Sequence, residues 1–291
     1  MKHTLPVYNI NDFCQFSNEQ EFYVNDFKNH IQNHHFINHP HKHDFYLCIF
    51  FTNGSGTHHI DFNAYEVNRG SVFALKPGQS HHWTLSEDCD GFVFFHSKSF
   101  FNLNFNHLQI NDFPFFSSNY NNPKIVINQS DSEKLINCFN ELLSENKQNS
   151  EFKISKIGIT LADIYINLSR LYQSNIQIKY TNQNYISKLR SFENLVEQHF
   201  KTQKSATAYA DLMNISTKHL NRICSECINK STSEIITDRI ILEAKRLLSQ
   251  ELHSISDIAN QLGYDDTAYF GRLFKKHCKV SPIQFRTLYK V

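Results

Sequence analysis

Of the 17 histidines in this 291-residue chain, 13 precede Tyr120. His41 and His43 alternate about Lys42, and His81 follows a Pro77-Gly78 turn. Three imidazoles brought together can hold Zn²⁺, Fe²⁺ or Cu²⁺. Neutral and metal-free, the same rings hydrogen-bond a small ligand or one another, since each offers one donor and one acceptor. His96 adds a further ring, and Tyr46 and Trp83 can supply the apolar walls of a ligand pocket. His58, His59 and His82 widen the choice and dilute the triad. A second chemistry sits in two groups about fifty residues apart, a spacing that points to an internal repeat. The first is Thr217, Lys218, Asn221 and Arg222. The second is Thr267, Ala268, Gly271, Arg272, Lys275 and Lys276. Arginine can grip guanine through two acceptors, asparagine can pair with adenine, and lysine reaches guanine or phosphate. Ala268 can touch only a thymine methyl and Gly271 nothing, whereas Lys275 and Lys276 suit phosphates. The first group is therefore expected to specify a sequence and the second to anchor.

These groups need helices to carry them. Ser256 is an N-cap candidate, Ile258, Ala259 and Leu262 follow at helical spacing, and Gly263 stops the helix. Asp265 or Asp266 can cap the next helix. That helix turns Phe270, Leu273 and Phe274 inward and leaves Thr267, Gly271, Arg272, Lys275 and Lys276 outward. Pro282 opens a short helix bearing Phe285, Leu288 and Tyr289. A small helix, a glycine turn and a basic helix form a helix-turn-helix. A degenerate copy lies upstream: Ala210 answers Ala259, Met213 answers Leu262, Leu220 answers Phe270, Arg222 answers Arg272, Ser231 answers Ser281 and Ile235 answers Phe285. Leu220, Ile223 and Cys227 point inward there, so the C-x-x-C of Cys224 and Cys227 reads as core packing. Between the copies a helix over 233–250 puts Ile236, Ile240, Ala244 and Leu247 on one face. At about 1.5 Å per residue it spans roughly 25 Å, a strut able to set two recognition helices about one DNA turn apart.

The first half reads as β structure. Turn signals at Asn53-Gly54, Asn68-Arg69-Gly70, Pro77-Gly78 and Asp90-Gly91 separate short segments at 45–51, 58–62, 71–75, 81–85 and 91–96, the pattern of a sandwich or barrel. Two helices follow. One runs from Ser130 to about Asn146, with Leu135, Phe139 and Leu142 apolar. The next, over about 151–173, spaces Ile157, Leu161, Ile164, Leu168 and Leu171 as a heptad seam. Polar residues about 175–185 read as a linker, and Ile186, Leu189, Phe192 and Leu195 open the C-terminal part. The fold class is therefore α+β in two domains. Residues 186–291 carry helix-turn-helix units at about 206–227 and 256–277. From 184 onward 16 Lys+Arg face 11 Asp+Glu, against 13 and 17 before it, so the basic half suits a polyanion. The N-terminus shows no signal region and no apolar run is long enough to span a bilayer. The seven cysteines fit reduced cytoplasmic thiols.

The run IANQLGYDD…YFGRLFKK…SPIQFR at 258–286 resembles the signature of the AraC/XylS transcription regulators. His41-Lys42-His43 and Gly70…Pro77-Gly78-Gln79-Ser80-His81 are similar to the two cupin motifs. The resemblance implies a cupin-like jelly roll over 1–174 that senses a small molecule, with the helix at 151–173 serving homodimerisation. It also implies double-stranded DNA as partner, and it admits contact with RNA polymerase. The family usually has glycine where Lys279 and Asn229 stand, so a different turn is expected at Lys279. Ser225 and Glu226 replace Lys275 and Lys276 in the first unit, which implies a weaker phosphate grip. The cupin pattern expects a glutamate where Leu47 and Cys48 stand, so neither a cofactor nor a metal at His41, His43 and His81 is expected. The expected function is a DNA-binding regulator, not an enzyme. The alternative is a metal-dependent cupin enzyme carrying an accessory DNA-binding module.

Overall fold

A computed structural model describes residues 5–13, 21–34, 37, 39–105, 107–117, 121–175, 183–250 and 253–289. The chain divides into two compact units, one within residues 6–177 and one within 178–291.

The N-terminal unit is two packed sheets with helices against one of them. Its strands are β1 (Val7–Tyr8), β2 (Phe22–Asp26), β3 (Lys42–His43), β4 (Tyr46–Asn53), β5 (Gly56–Ile60), β6 (Asn63–Val67), β7 (Ser71–Leu75), β8 (His81–Leu85), β9 (Asp90–His96) and β10 (Lys124–Val126). The larger sheet runs β10-β7-β4-β9-β2, the smaller β6-β5-β8, and β1 pairs with β3. Alternation divides the core. Leu47, Ile49 and Phe51 of β4, Phe73 and Leu75 of β7, and Val93 and Phe95 of β9 face the barrel interior with Trp83. Tyr46, Cys48, Phe50, Val72 and Phe94 face the other way, into a layer of helices.

Those helices are α1 (Phe27–Asn33), α2 (Lys98–Asn104), α3 (Pro114–Ser117), α4 (Gln129–Lys147) and α5 (Lys153–Asn175). α1 instead lies on β2 and β9. The heptad seam of α5 takes a different partner from the one expected. Ile157, Leu161, Ile164 and Leu168 are at most 1% exposed within this one chain, packed in the same core as Phe94 and Phe139, with Leu171 against it. A 3-4 apolar spacing fits any flat apolar surface, and here α4 and the β10 edge of the sheet provide it.

The C-terminal unit is all helix: α6 (Gln183–His199), α7 (Ala206–Leu212), α8 (Thr217–Ile228), α9 (Thr232–Leu248), α10 (Ile255–Gln261), α11 (Thr267–Cys278) and α12 (Pro282–Leu288). α9 is the strut: it packs on α6, α7 and α8 at one end and on α10 and α12 at the other. Arg239 of α9 ties it to α6, with Nε and Nη2 donating to Glu197 at 2.6 and 2.8 Å and the guanidinium 3.9 Å from the Phe200 ring centre. The cap of α10 is Ser254, not Ser256, because Asp257 three residues on completes a capping box with it. Lys279 ends α11 in the left-handed region at φ 64°, as Asn229 ends α8 at φ 54°. On α12 Phe285 is buried and Leu288 is 67% exposed. Among the described residues no helix is long and apolar enough to cross a membrane.

Candidate DNA interface and histidine-lined barrel

α7 and α10 each meet a following helix across a tight turn. Gly263 turns the second hairpin at φ 74° and Asn214 turns the first at φ 53°. Hydroxyl ties close both: Thr217 Oγ1 to Thr207 Oγ1 at 3.4 Å, and Thr267 Oγ1 to Ser256 Oγ at 3.3 Å. Thr217 and Thr267, expected to touch DNA, are thus half-buried and engaged within their own hairpins. The outward rows hold Lys218, Asn221 and Arg222 on α8, and Ala268, Arg272, Lys275 and Lys276 on α11, all exposed, with Gly271 between them. Asn221 has a second engagement. Its Oδ1 accepts from the Thr232 backbone N–H at 3.0 Å, anchoring the start of α9. Paired contact with adenine would draw on that oxygen as well as the amide nitrogen, so the tie to Thr232 competes with the base reading expected of Asn221. Arg222 Nη2 lies 3.1 Å from His219 Nδ1 and its guanidinium 5.7 Å from the Tyr185 ring centre. Cys224 is buried, Cys227 half-buried, and burial pushes both thiols up to about 11, as core packing requires.

In the barrel, β3, β5 and β8 bring His43, His58 and His81 together, and His41 exchanges backbone hydrogen bonds with His81. All four are at most 3% exposed. The rings of His41 and His43 lie 4.3 and 5.1 Å from that of His81, and Trp83 stands 5.4 Å from it. The cluster thus contains His41, His43, His81 and Trp83 as expected, plus His58. Period-2 alternation of β5 pointed to His58, because it shares its face with Ile60 while His59 turns outward to stack on His82. Tyr46 and His96 do not join. Both lie in the helix-facing layer, where Tyr46 stacks on His96 and the Tyr165 hydroxyl donates to His96 Nε2 at 2.8 Å. A one-residue step along β4 or β9 exchanges barrel interior for helix layer.

Hydrogen bonding settles much of the protonation. Nδ1 of His41 donates to the His39 carbonyl and Nδ1 of His43 to the Phe45 carbonyl, each at 2.8 Å, so each Nε2 is a lone-pair acceptor. His58 Nε2 and His81 Nδ1 share one proton at 3.0 Å. Four buried nitrogens remain without a partner: His43 Nε2, His58 Nδ1, His81 Nε2 and Trp83 Nε1. Burial holds His41 at about 4 and His43 and His58 at about 3, and pulls His81 well below the usual imidazole range, with neighbouring rings adding to the effect. These rings therefore hold the fold as neutral groups. That stability is complete above the ordinary pH of about 6.5 and drains as pH falls toward 4 and 3. Among the described residues no three His, Cys, Asp or Glu side chains are grouped to hold an ion. Leu47 fills the carboxylate position and Cys48 faces the other core.

Two family profiles match the chain: an AraC-like ligand binding domain over residues 27–161 and a helix-turn-helix domain over 209–287. The chain belongs to the AraC/XylS family. It is a DNA-binding transcription regulator with an N-terminal ligand-sensing domain. The regulator is 21% identical over 251 residues to the transcriptional activator RhaR of Mannheimia succiniciproducens, covering 85% of this chain and 86% of that one. It is 20% identical to the activator RhaS of Enterobacter sp. strain 638, covering 84% and 86%. Among solved structures, ToxT of Vibrio cholerae with a bound unsaturated fatty acid aligns at 16% identity and TM-score 0.43, over 94% of this chain and 97% of that one.

Proposed function

We propose that this regulator reads bases through Lys218 and Arg222 of α8 and anchors on phosphates through Arg272, Lys275 and Lys276 of α11. Control comes from an uncharged polar molecule held in the barrel. The observation that carries the reading is the pair of exposed outward rows on two hairpins of one strut-linked frame. On α8 Lys218 and Arg222 can meet base edges, while on α11 Ala268 and Gly271 leave little but cations. The barrel's share rests on the four unpartnered nitrogens. His43 Nε2 accepts, Trp83 Nε1 donates, and the His58–His81 pair adds one of each whichever way its proton lies. A ligand that answers them carries hydroxyl or amide groups. A charged one would lie buried beside neutral rings without a counter-ion.

Residues 1–174 would then sense and dimerise, 175–185 connect, and 186–291 read. The homodimer we infer would use the outward side of α5, where Ile159 stands 61% exposed, since the seam is buried. Such a protein works in the cytoplasm beside RNA polymerase, and it is a regulator rather than an enzyme.

Selection of bound fragments from a random duplex library tests the reader, and a discrete preferred sequence is expected. Thermal-shift screening of neutral polyhydroxy and amide compounds against carboxylate salts tests the sensor. A His43→Ala/His81→Ala variant should lose the ligand shift and keep DNA binding. A response that survives in that variant places the ligand elsewhere.

A further inference from the structure

His219 of α8 stands half-buried between two cations. Arg222 Nη2 is 3.1 Å from its Nδ1, and Lys188 Nζ of α6 is 3.4 Å from its Nε2. Guanidinium and ammonium groups only donate, whereas a neutral imidazole has one N–H and one lone pair. Only one of the two contacts can be a hydrogen bond. The shorter is the one to Arg222, so Nδ1 accepts and Nε2 carries the proton. Nε2–H and the Lys188 ammonium are then two donors 3.4 Å apart with no acceptor between them. Tyr185 holds the arrangement, its ring edge-on to His219 at 5.6 Å and 5.7 Å from the Arg222 guanidinium. Neither Lys188 nor Arg222 pairs with a carboxylate among the described residues. The acid on this concave face of α8, Glu226, lies at its C-terminal end, about two turns beyond His219.

We propose that Lys188 Nζ and His219 Nε2 form a seat for one DNA backbone phosphate on the flank of the first recognition helix. A phosphate oxygen about 2.8 Å from each nitrogen completes both donors, in charge-assisted hydrogen bonds on the lysine side. The seat rests on the assignment of the C-terminal unit as the DNA reader. It adds a contact from α6, outside both hairpins. Its place beside Lys218 and Arg222 is where backbone contacts set the register of a helix in the major groove. It also gives the first unit a phosphate grip that Ser225 and Glu226 do not supply.

The test is the salt dependence of binding by the full chain to a labelled random-sequence duplex of about 40 base pairs, across about 50–300 mM KCl. Lys188→Gln keeps the aliphatic stem and removes the charge. It should lower the magnitude of the salt slope by about 1 and the affinity about tenfold near 100 mM salt. Lys188→Arg should restore the slope. A wild-type slope in Lys188→Gln overturns the seat. Absence of salt-dependent binding in the unmodified chain would instead overturn the reader assignment, so the two failures are distinct. The free chain gives a check that needs no variant. Nitrogen-15 spectra should place the His219 proton on Nε2, and a proton on Nδ1 overturns the seat.

Discussion

The two helix-turn-helix hairpins share a frame and differ on the face they turn outward. In both, a left-handed residue makes the turn, Asn214 or Gly263, and a threonine hydroxyl ties the second helix to the first. In both, a left-handed residue ends the recognition helix, Asn229 or Lys279, and a serine three-residue box opens the next, Ser231 with Glu234 or Ser281 with Gln284. The outward rows share only an arginine. On α8 Lys218 and Arg222 can address bases, and Asn221 is tied back to Thr232. On α11 Ala268 and Gly271 leave a bare stripe beside three cations, and an added Cβ at Gly271 would meet no atom within 4 Å. Backbone geometry is preserved where the frame needs it, and side chains diverge where only a partner would constrain them.

The largest expected effect separates the two turns. A Cβ on Gly263 would meet the Lys201 carbonyl oxygen at 2.1 Å, so the position needs both a left-handed backbone and no side chain. Asn214 shows that its own turn tolerates one. Gly263→Ala should destabilise the C-terminal unit by about 3 kcal/mol, the left-handed strain and the backbone clash together. Asn214→Gly should change stability by less than about 0.5 kcal/mol. Hydrogen exchange of the α9 amides reads both, and equal effects would erase the distinction between the turns.

The next two effects split the α8 row. Arg222→Ala should weaken binding to the preferred site by about 1–3 kcal/mol and relax preference at one base pair. Fragment selection with the variant measures this, and an unchanged preference removes Arg222 from base reading. Asn221→Ala should leave preference unchanged and lower stability by about 1 kcal/mol, because it frees the Thr232 N–H at the start of α9. A shift in selected sequence with unaltered melting would keep Asn221 in the reading set.

The helices and their inward residues were legible in the sequence because glycine, serine and aspartate caps act over three or four residues. Phe270, Phe274, Leu220 and Ile223 are all buried as their spacing requires. The barrel segments at 71–75 and 81–85 fall where the turn residues placed them. Three features lay beyond local reading. β6 pairs with β5 although its burial alternates poorly, and only the partner strand reveals it. The α5 seam has the same period whether it faces a second chain or its own sheet. The fates of Tyr46, His96 and Asn221 depend on which layer or helix start lies opposite, which no spacing encodes.

The smallest expected effect tests whether Lys279 is tolerated or useful. A lysine held at φ 64° carries a steric cost that Asn229, at φ 54° in the matching position, largely avoids. Lys279 recovers little: its ammonium donates to the Lys276 carbonyl at 3.2 Å, an exposed contact. Lys279→Gly should therefore stabilise α11 and α12 by about 0.5–1 kcal/mol, with the greater freedom of glycine in the unfolded chain limiting the gain. Asn229→Gly should gain less, since asparagine already accepts this backbone. Exchange rates at α11 and α12 amides report the gain, and faster exchange in Lys279→Gly would contradict the strain. Salt-dependent DNA binding by the same variant sharpens the comparison of the two units. An unchanged slope leaves Lys279 as a strained turn residue, whereas a slope lowered by about 1 would make it a fourth cation of the anchoring row.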